Sequence, residues 1–440
     1  MLLKLNINIQ LQQLHEEGEK VKIVVLTHSS YSHIKAIQEF LDELVIDNEV
    51  YCFLDKDYDS FCRNEKINYK FYNENCEKEC NKIIQEHNKM LWSYIDPNEK
   101  KGINELLIEV EKPLEYMLSG AKVYEKYLLP LIQEINPDLI IRDACALYGR
   151  FIADKLNVKL IGYATSMIYN HDHLINNPRE ILSGYFHWNL DHFMDDEVQE
   201  LLLKTEEITL NLCEKFNVRP FSPLCTTDPG EEFNFCFGGT LLQPELNESN
   251  TMIVQPMKFK NIRDFNDSKE NVILISSGTV GVNKMTFYNY VINAFANTDY
   301  EVIIGFHYAN APFIKTKTLP NNIRIESFVN QEDILRKAKL FITHGGYNSI
   351  LESLYYDVPI LVNPLMSEQF LNAQQISEKQ IGINLKTYPI NSNSLYSISK
   401  FLIENDDLKE NIKLIKHNLE ESHSVKYLVS HINSLNEGMN

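Results

Sequence analysis

Cations are the first shortage. The chain has 440 residues, with 42 Lys and Arg against 61 Asp and Glu and a formal net charge of -19. A protein that grips a nucleic-acid backbone needs clustered Lys and Arg, so this balance excludes that class of partner. A phosphorylated small molecule stays open, because a few backbone N–H groups hold one. Long apolar runs are also missing. None approaches the roughly 20 residues of a membrane span, and the last residues, Asn433 to Asn440, are polar. Residues Met1 to Lys20 lack the apolar core and small-residue cleavage site of a signal peptide. Cysteines are sparse, eight in all and confined to Cys52–Cys236. Cys76 and Cys80 have no second pair at zinc-finger spacing, so buried or idle thiols are expected. Without a secretory route, the Asn-X-Ser sequences at Asn247 and Asn266 carry no weight. The expectation is a cytoplasmic globular protein. Its length allows about three domains.

What is present is an alternation of strands and helices. Lys22–Thr27 (KIVVLT) is a continuous apolar run, as in a strand buried on both faces. After it, Ile34, Ile37, Leu41 and Leu44 recur at helical spacing, and Glu49–Leu54 reads as a second strand. Asp138–Ile141, Tyr148–Leu156 and Lys159–Tyr163 read as strand, helix and strand. A second series runs through Val272–Ser276, Lys284–Ala296, Glu301–Phe306, Ile323–Ser327 and Leu340–Thr343. A helix from Ser349, a strand at Pro359–Val362 and a helix from Gln369 complete it. This predicts an α/β protein with two doubly wound parallel halves. Residues 60–130 and 170–235 read as helix-rich, aromatic insertions, some of whose side chains are candidates for lining an apolar pocket. Residues 1–245 form the first expected half and 271–415 the second. The polar stretch 246–270 reads as a linker, and 416–440 as a helix returning to the first half. Ligands of such sheets sit beyond the carboxyl ends of the strands, so a site in a cleft between facing halves is expected.

The densest signal is Phe341-Ile-Thr-His344-Gly345-Gly346-Tyr347-Asn348-Ser349, a strand, a glycine turn and a helix start. The glycines permit close backbone approach, and a helix N-terminus offers N–H groups and partial positive charge to a phosphate. Asn348 and Ser349 are candidate N-caps. His344 is placed to donate to a phosphate oxygen. Glu352, four residues after Asn348, shares its helix face and suits ribose hydroxyls.

The run from Asn322 to Leu385 resembles the UDP-sugar-dependent glycosyltransferases of the GT-B fold, especially the soluble bacterial branch similar to macrolide glycosyltransferases. It keeps an aromatic-X-X-Gln opening, Thr343-His344-Gly345-Gly346-X-Asn348-Ser349, Glu352, Val358-Pro359, Pro364, an acidic-Gln pair and Asn372-Ala373. The resemblance implies that Phe328 stacks on uracil, that the Val329 backbone pairs with the base edge, and that Gln331 lies in the same loop. It assigns the ribose to Glu352, the diphosphate to His344, Gly346, Asn348 and Ser349, and the sugar hydroxyls to Glu368 and Gln369. Ser276-Ser277-Gly278-Thr279 resembles the family's second phosphate loop, with Gly278 in its turn and Thr279 near the β-phosphate. The chain departs from the common pattern at Phe328, usually Trp, at Asn330, usually Pro, and at Glu368, Asp in plant members.

The resemblance also implies a base after the first strand, which is His33 in Ser32-His33-Ile34-Lys35, with His28 as rival. The positive end of a helix would keep its ring neutral. Its partner would be Asp143, in Asp138-Leu-Ile-Ile-Arg-Asp143. The activity implied is inverting transfer of a hexose, glucose being the expected one, from a UDP-sugar to a hydroxyl of a hydrophobic small molecule. No metal or other cofactor is expected. A UDP-sugar epimerase and a non-catalytic nucleotide-sugar-binding protein are the alternatives. Two further motifs are set aside. Asp55-Lys-Asp57-Tyr-Asp59 reads as a solvated turn, and His171-Asp172-His173 as a loop with no third metal ligand at a fitting spacing.

Overall fold

Continuous apolar runs become the inner strands of two parallel sheets. A computed structural model describes residues 20–94, 100–246, 250–256, 265, 269–276, 285–305, 319–327, 329–365 and 368–437. The chain divides into two units. One takes the chain up to Phe237, Leu246–Met257 and everything from His423, and the other takes Gly238–Glu245 and Lys258–Ser422.

The first unit holds strands β1 (Lys22–Leu26), β2 (Glu49–Leu54), β3 (Asn68–Phe71), β4 (Leu139–Asp143), β5 (Lys159–Ala164), β6 (Asn234–Phe237) and β7 (Thr251–Val254). They lie in the order β3-β2-β1-β4-β5-β6-β7, and every pairing is parallel. The second unit holds β8 (Val272–Ser276), β9 (Glu301–Gly305), β10 (Ile323–Glu326), β11 (Ala338–Thr343), β12 (Ile360–Val362) and β13 (Gly382–Asn384). Their order is β10-β9-β8-β11-β12-β13, again all parallel. In each sheet the chain builds outward in one direction and then returns to build in the other. The reversal falls between β1 and β4 in the first unit and between β8 and β11 in the second. A crevice opens at such a reversal, beyond the carboxyl ends of the two strands. Both predicted motif groups lie there.

Helices cover the first sheet with apolar stripes. Helix Tyr31–Asp47 buries Ile34, Ile37, Phe40, Leu41 and Leu44. These join Val25 and Ile141 from the sheet, and Val425, Leu428 and Ile432 from helix Val425–Glu437, in one core. Each such side chain contributes about 1.5–3 kcal/mol when fully buried. The C-terminal helix therefore belongs to the first unit, tied also by a bridge between Val254 and His423.

Four short strands escaped the sequence reading: β3, β6, β7 and β13. Exposed, polar β3 and three-residue β13 carry too few apolar positions to show a period. Strand β7 lies inside the stretch read as a linker. Helix Tyr347–Tyr355 begins two residues before the expected Ser349, with Gly346 rather than Asn348 or Ser349 at its N-cap. Gly345 is the reason: its φ of +88° turns the chain at once after β11. His171–Asn176 is a short helix rather than a loop, capped by the Asn170 side chain. Lys56–Phe61 is a 3-10 turn in which the Asp57 N–H donates to Asp55 Oδ1 at 3.0 Å, as suits a solvated turn.

A buried ionic network fixes the end of β4. Arg142 and Arg150 are both 1% exposed, and their Nε atoms donate to the same Glu231 oxygen at 2.8 and 2.7 Å. The remaining Arg142 N–H groups reach the carbonyls of Asp143, Ala144 and Pro229. Gly162 on β5 lets this loop pass close by, since a Cβ there would lie 2.4 Å from Pro229 Cβ. Removing one member of a buried ion network leaves the others uncompensated. Glu231→Ala is expected to lower the free energy of unfolding by about 3–5 kcal/mol in chemical denaturation. A change under about 1 kcal/mol, the size of an exposed pair, would contradict this account.

Candidate active site

Strand register brings the first pair together. Leu26 at the end of β1 stands opposite Arg142, so the next residue of β4, Asp143, emerges beside the turn that leads into helix Tyr31–Asp47. His33 lies in the first turn of that helix. Its Nδ1 is 2.7 Å from Asp143 Oδ2. The Asp143 side chain is fully buried and that of His33 is 20% exposed. Burial works against a charged carboxyl. The charge and hydrogen bond of His33, with the charge of His28 and the backbone N–H of Cys145, prevail and hold Asp143 below its ordinary value. An ionised carboxylate only accepts, so His33 Nδ1 is the donor, and whenever the ring is neutral the lone pair falls on Nε2.

Two residues that the sequence reading missed complete this cluster. Thr165, just past β5, places Oγ1 at 2.8 Å from His33 Nδ1 and 3.3 Å from Nε2. Cys145 donates its N–H to Asp143 Oδ1 at 2.8 Å. Nothing in their local sequence marks either residue; the sheet order and the turn after β4 deliver them. His28, the rival base, sits edge-on to His33 with ring centroids 4.9 Å apart. The hydrogen bond to Asp143 belongs to His33. A groove of about 770 Å³ along the same helix is lined by Tyr31, Lys35, Gln38 and Asp42. At 100° per residue these occupy the opposite helix face from His33.

The second unit gathers its predicted residues after β11. His344, Gly345 and Gly346 form the turn, and Asn348 and Ser349 fall in the first turn of helix Tyr347–Tyr355, where backbone N–H groups lack intrahelical acceptors. A Cβ at Gly346 would lie 2.6 Å from His344 Nε2, so glycine leaves room for the imidazole. A Cβ at Gly345 would lie 2.6 Å from Val362 Cγ1, a second reason for glycine besides its positive φ. The Asn372 amide donates to the Gly345 carbonyl at 2.9 Å and fixes the turn from behind. Gln331 joins two other predicted residues, donating to Glu352 Oε2 at 2.6 Å and to Ser349 Oγ at 3.3 Å. Glu352 is buried and held in one orientation by this bond. Val329 packs half-buried against the core formed by Leu274, Ile303 and Phe341. Gln369 is buried, and its side-chain oxygen accepts from the Leu365 N–H at 3.0 Å. Glu368 starts helix Glu368–Glu378 and is half-buried. Gly278, Thr279 and Phe328 lie outside the described residues.

The motifs set aside behave as solvated or structural groups. His171 pairs with Glu206 at 2.6 Å on the surface. None of the eight cysteines is joined in a disulfide. Among the described residues, no helix is long and apolar enough to cross a membrane. Tyr72, Tyr148, Tyr169, Tyr185 and Trp188, from the aromatic insertions and their surroundings, are buried.

With this geometry in place, comparison with known proteins is informative. Residues 248–428 match the family described as UDP-glucoronosyl and UDP-glucosyl transferase. The chain is 29% identical over 330 residues to NDP-glycosyltransferase YjiC of Bacillus subtilis (strain 168), across 74% of this chain and 79% of that one. It is similar in structure to the glycotransferase of kitacinnamycin, with a TM-score of 0.69 at 16% identity over 94% of this chain and 99% of that one. It also resembles the calicheamicin glycosyltransferase CalG4, with a TM-score of 0.64 at 15% identity over 94% and 98%. At these identities the two structures speak for the fold.

His344 supplies a test of the second site's electrostatics. Its withdrawal from solvent outweighs a hydrogen bond at the Ser276 backbone and lowers its value from 6.5 to about 4. Near neutral pH it is therefore a neutral imidazole, with one ring N–H to donate. Between 6.5 and about 4 the unfolded chain binds this proton more readily, so the contribution to stability falls as pH drops through that window. In urea denaturation at a series of pH values, His344→Asn is expected to show a shallower loss across that interval. Identical slopes in the two proteins would contradict the shifted histidine.

Proposed function

We propose that this chain, a GT-B enzyme of the UDP-glycosyltransferase family, transfers a hexose from a UDP-sugar to a hydroxyl of a hydrophobic small molecule with inversion at the anomeric carbon. The observation that carries the reading is the His33–Asp143 hydrogen bond of 2.7 Å. It orients the imidazole with Nε2 as a proton acceptor. The acceptor hydroxyl gives its proton to Nε2 as its oxygen attacks the anomeric carbon. The bond from that carbon to the phosphate oxygen breaks, and UDP leaves with the electron pair. Asp143 steadies the imidazolium that forms.

The donor falls to the second unit. Glu352, held by Gln331, suits the ribose hydroxyls, and the turn His344–Gly346 with the start of helix Tyr347–Tyr355 suits the diphosphate. Charge developing on the leaving UDP meets backbone N–H groups and the helix dipole, which stabilise it without a divalent ion. Phe328 and Val329 take the base in this reading, Gly278 and Thr279 the β-phosphate, and Glu368 and Gln369 the sugar. Glucose is the proposed hexose. The proposed location is cytoplasmic, in keeping with eight cysteines that form no disulfide. The glycosyltransferases named for kitacinnamycin and calicheamicin support a natural-product acceptor, such as a macrolide or a phenol.

UDP release from UDP-glucose, with and without macrolide and phenolic acceptors, tests this reading. His33→Ala is expected to lose about 10²–10⁴-fold in acceptor-dependent turnover, the usual worth of a general base. Asp143→Asn is expected to lower turnover while leaving the KM for UDP-glucose near that of the wild type. Equal turnover by His33→Ala would overturn the assigned base. Conversion of the UDP-sugar with no acceptor present would point to an epimerase instead.

A further inference from the structure

We propose that His33, Asp143 and Cys145 form an inhibitory binding site for a thiophilic divalent cation such as Zn²⁺. One ligand atom from each, an imidazole nitrogen, a carboxylate oxygen and the Cys145 sulfur, lies within 4.8 Å of the other two. Among the described residues, this is the trio of His, Cys, Asp or Glu side chains that converges in this way. The turn after β4 makes it. Donation from the Cys145 N–H to Asp143 Oδ1 folds residue 145 back over the carboxylate, so the thiol lies on the same side as the imidazole.

The donor set has the chemistry for such an ion. A thiolate, an imidazole and a carboxylate are three protein ligands, which leaves a fourth tetrahedral position for water. Bonds of about 2.1 Å to nitrogen and oxygen and about 2.3 Å to sulfur place the three ligand atoms of a tetrahedral site roughly 3.4–3.6 Å apart. The 2.7 Å contact between His33 and Asp143 must open by roughly 0.7 Å, and the wider separations, up to 4.8 Å, must close by roughly 1.2 Å at most. Cys145 and His33 are part-exposed, which gives the ion an entry path, while fully buried Asp143 anchors the site.

Binding would inhibit whichever nitrogen is used. On Nδ1 the ion takes the place of the proton shared with Asp143. That proton moves through solvent to Nε2, so the ring stays neutral, and the thiol proton is released to solvent. The ring becomes a donor where the reaction needs an acceptor. On Nε2 the ion occupies the lone pair directly. Ion binding stands on the geometry alone, whereas its inhibitory effect rests on the proposed role of His33 as base.

Two measurements separate these parts. The full-length protein is titrated with Co²⁺, which takes the same tetrahedral sites and shows a thiolate charge-transfer band in the near ultraviolet. The band is expected in the wild type and is expected to be lost in Cys145→Ser and in Cys145→Ala. No band in the wild type, or one that persists undiminished in both variants, overturns the site. UDP release is then measured for each protein with and without Zn²⁺. Zn²⁺ is expected to inhibit the wild type, and the inhibition constant to rise about tenfold or more in both variants. A wild type that shows the cobalt band yet turns over unchanged with Zn²⁺ overturns the inhibitory role and counts against His33 as the base. Mg²⁺, a hard cation that prefers oxygen ligands, is expected to leave turnover unchanged in all three proteins.

Discussion

The hydrogen bond between His33 Nδ1 and Asp143 Oδ2 is the constraint on which the chemistry proposed for the first unit depends. It exists because two strands distant in sequence, β1 and β4, are neighbours at the point where the sheet reverses its order of assembly. Neither residue means much alone. A histidine in the first turn of a helix is common, and an aspartate at a strand end is more often a cap. The parallel pairing of Leu26 with Arg142 turns them into a pair. Arg142, Arg150 and Glu231 then hold the carbonyls around Asp143 with buried, hydrogen-bonded charges. The same residue of β4 is thus fixed through its backbone while its carboxylate is given over to His33 and Cys145.

The second unit repeats the topology for a different purpose. Its reversal between β8 and β11 supports a glycine turn and a helix start rather than a titratable pair. Gly345 supplies the left-handed φ, Asn372 holds its carbonyl, and Gly346 leaves space for a neutral His344. An acidic chain is compatible with an anionic ligand for this reason. Local N–H groups and one helix dipole act at short range, where net charge matters little.

Much of this was legible because parallel sheets are buried on both faces. Tyr148–Leu156 and Val272–Ser276 fall where the apolar runs placed them. What failed was what depends on partners. Strand β3 is mostly exposed, and β7 lies among polar residues whose composition says linker, so their pairing comes only from the sheet edges. The start of helix Tyr347–Tyr355 shifted because Gly345 took a conformation that composition permits but does not require. Thr165 and Cys145 reach His33 and Asp143 through the tertiary structure, and no local pattern announces them. The resemblance to a family supplied the roles. The residues alone offered a phosphate-suited turn and little more.

The central claim is that Asp143 fixes the tautomer of His33, with hydrogen on Nδ1 and a lone pair on Nε2. Nitrogen-15 NMR of histidine-labelled protein reads this directly, through the shifts and proton couplings of the two ring nitrogens. The Asp143→Asn protein identifies the responding ring. The account predicts a neutral His33 with its proton on Nδ1 in the wild type and loss of that preference in the variant. A wild-type ring protonated on Nε2 at neutral pH, or a tautomer unchanged by the substitution, would contradict it.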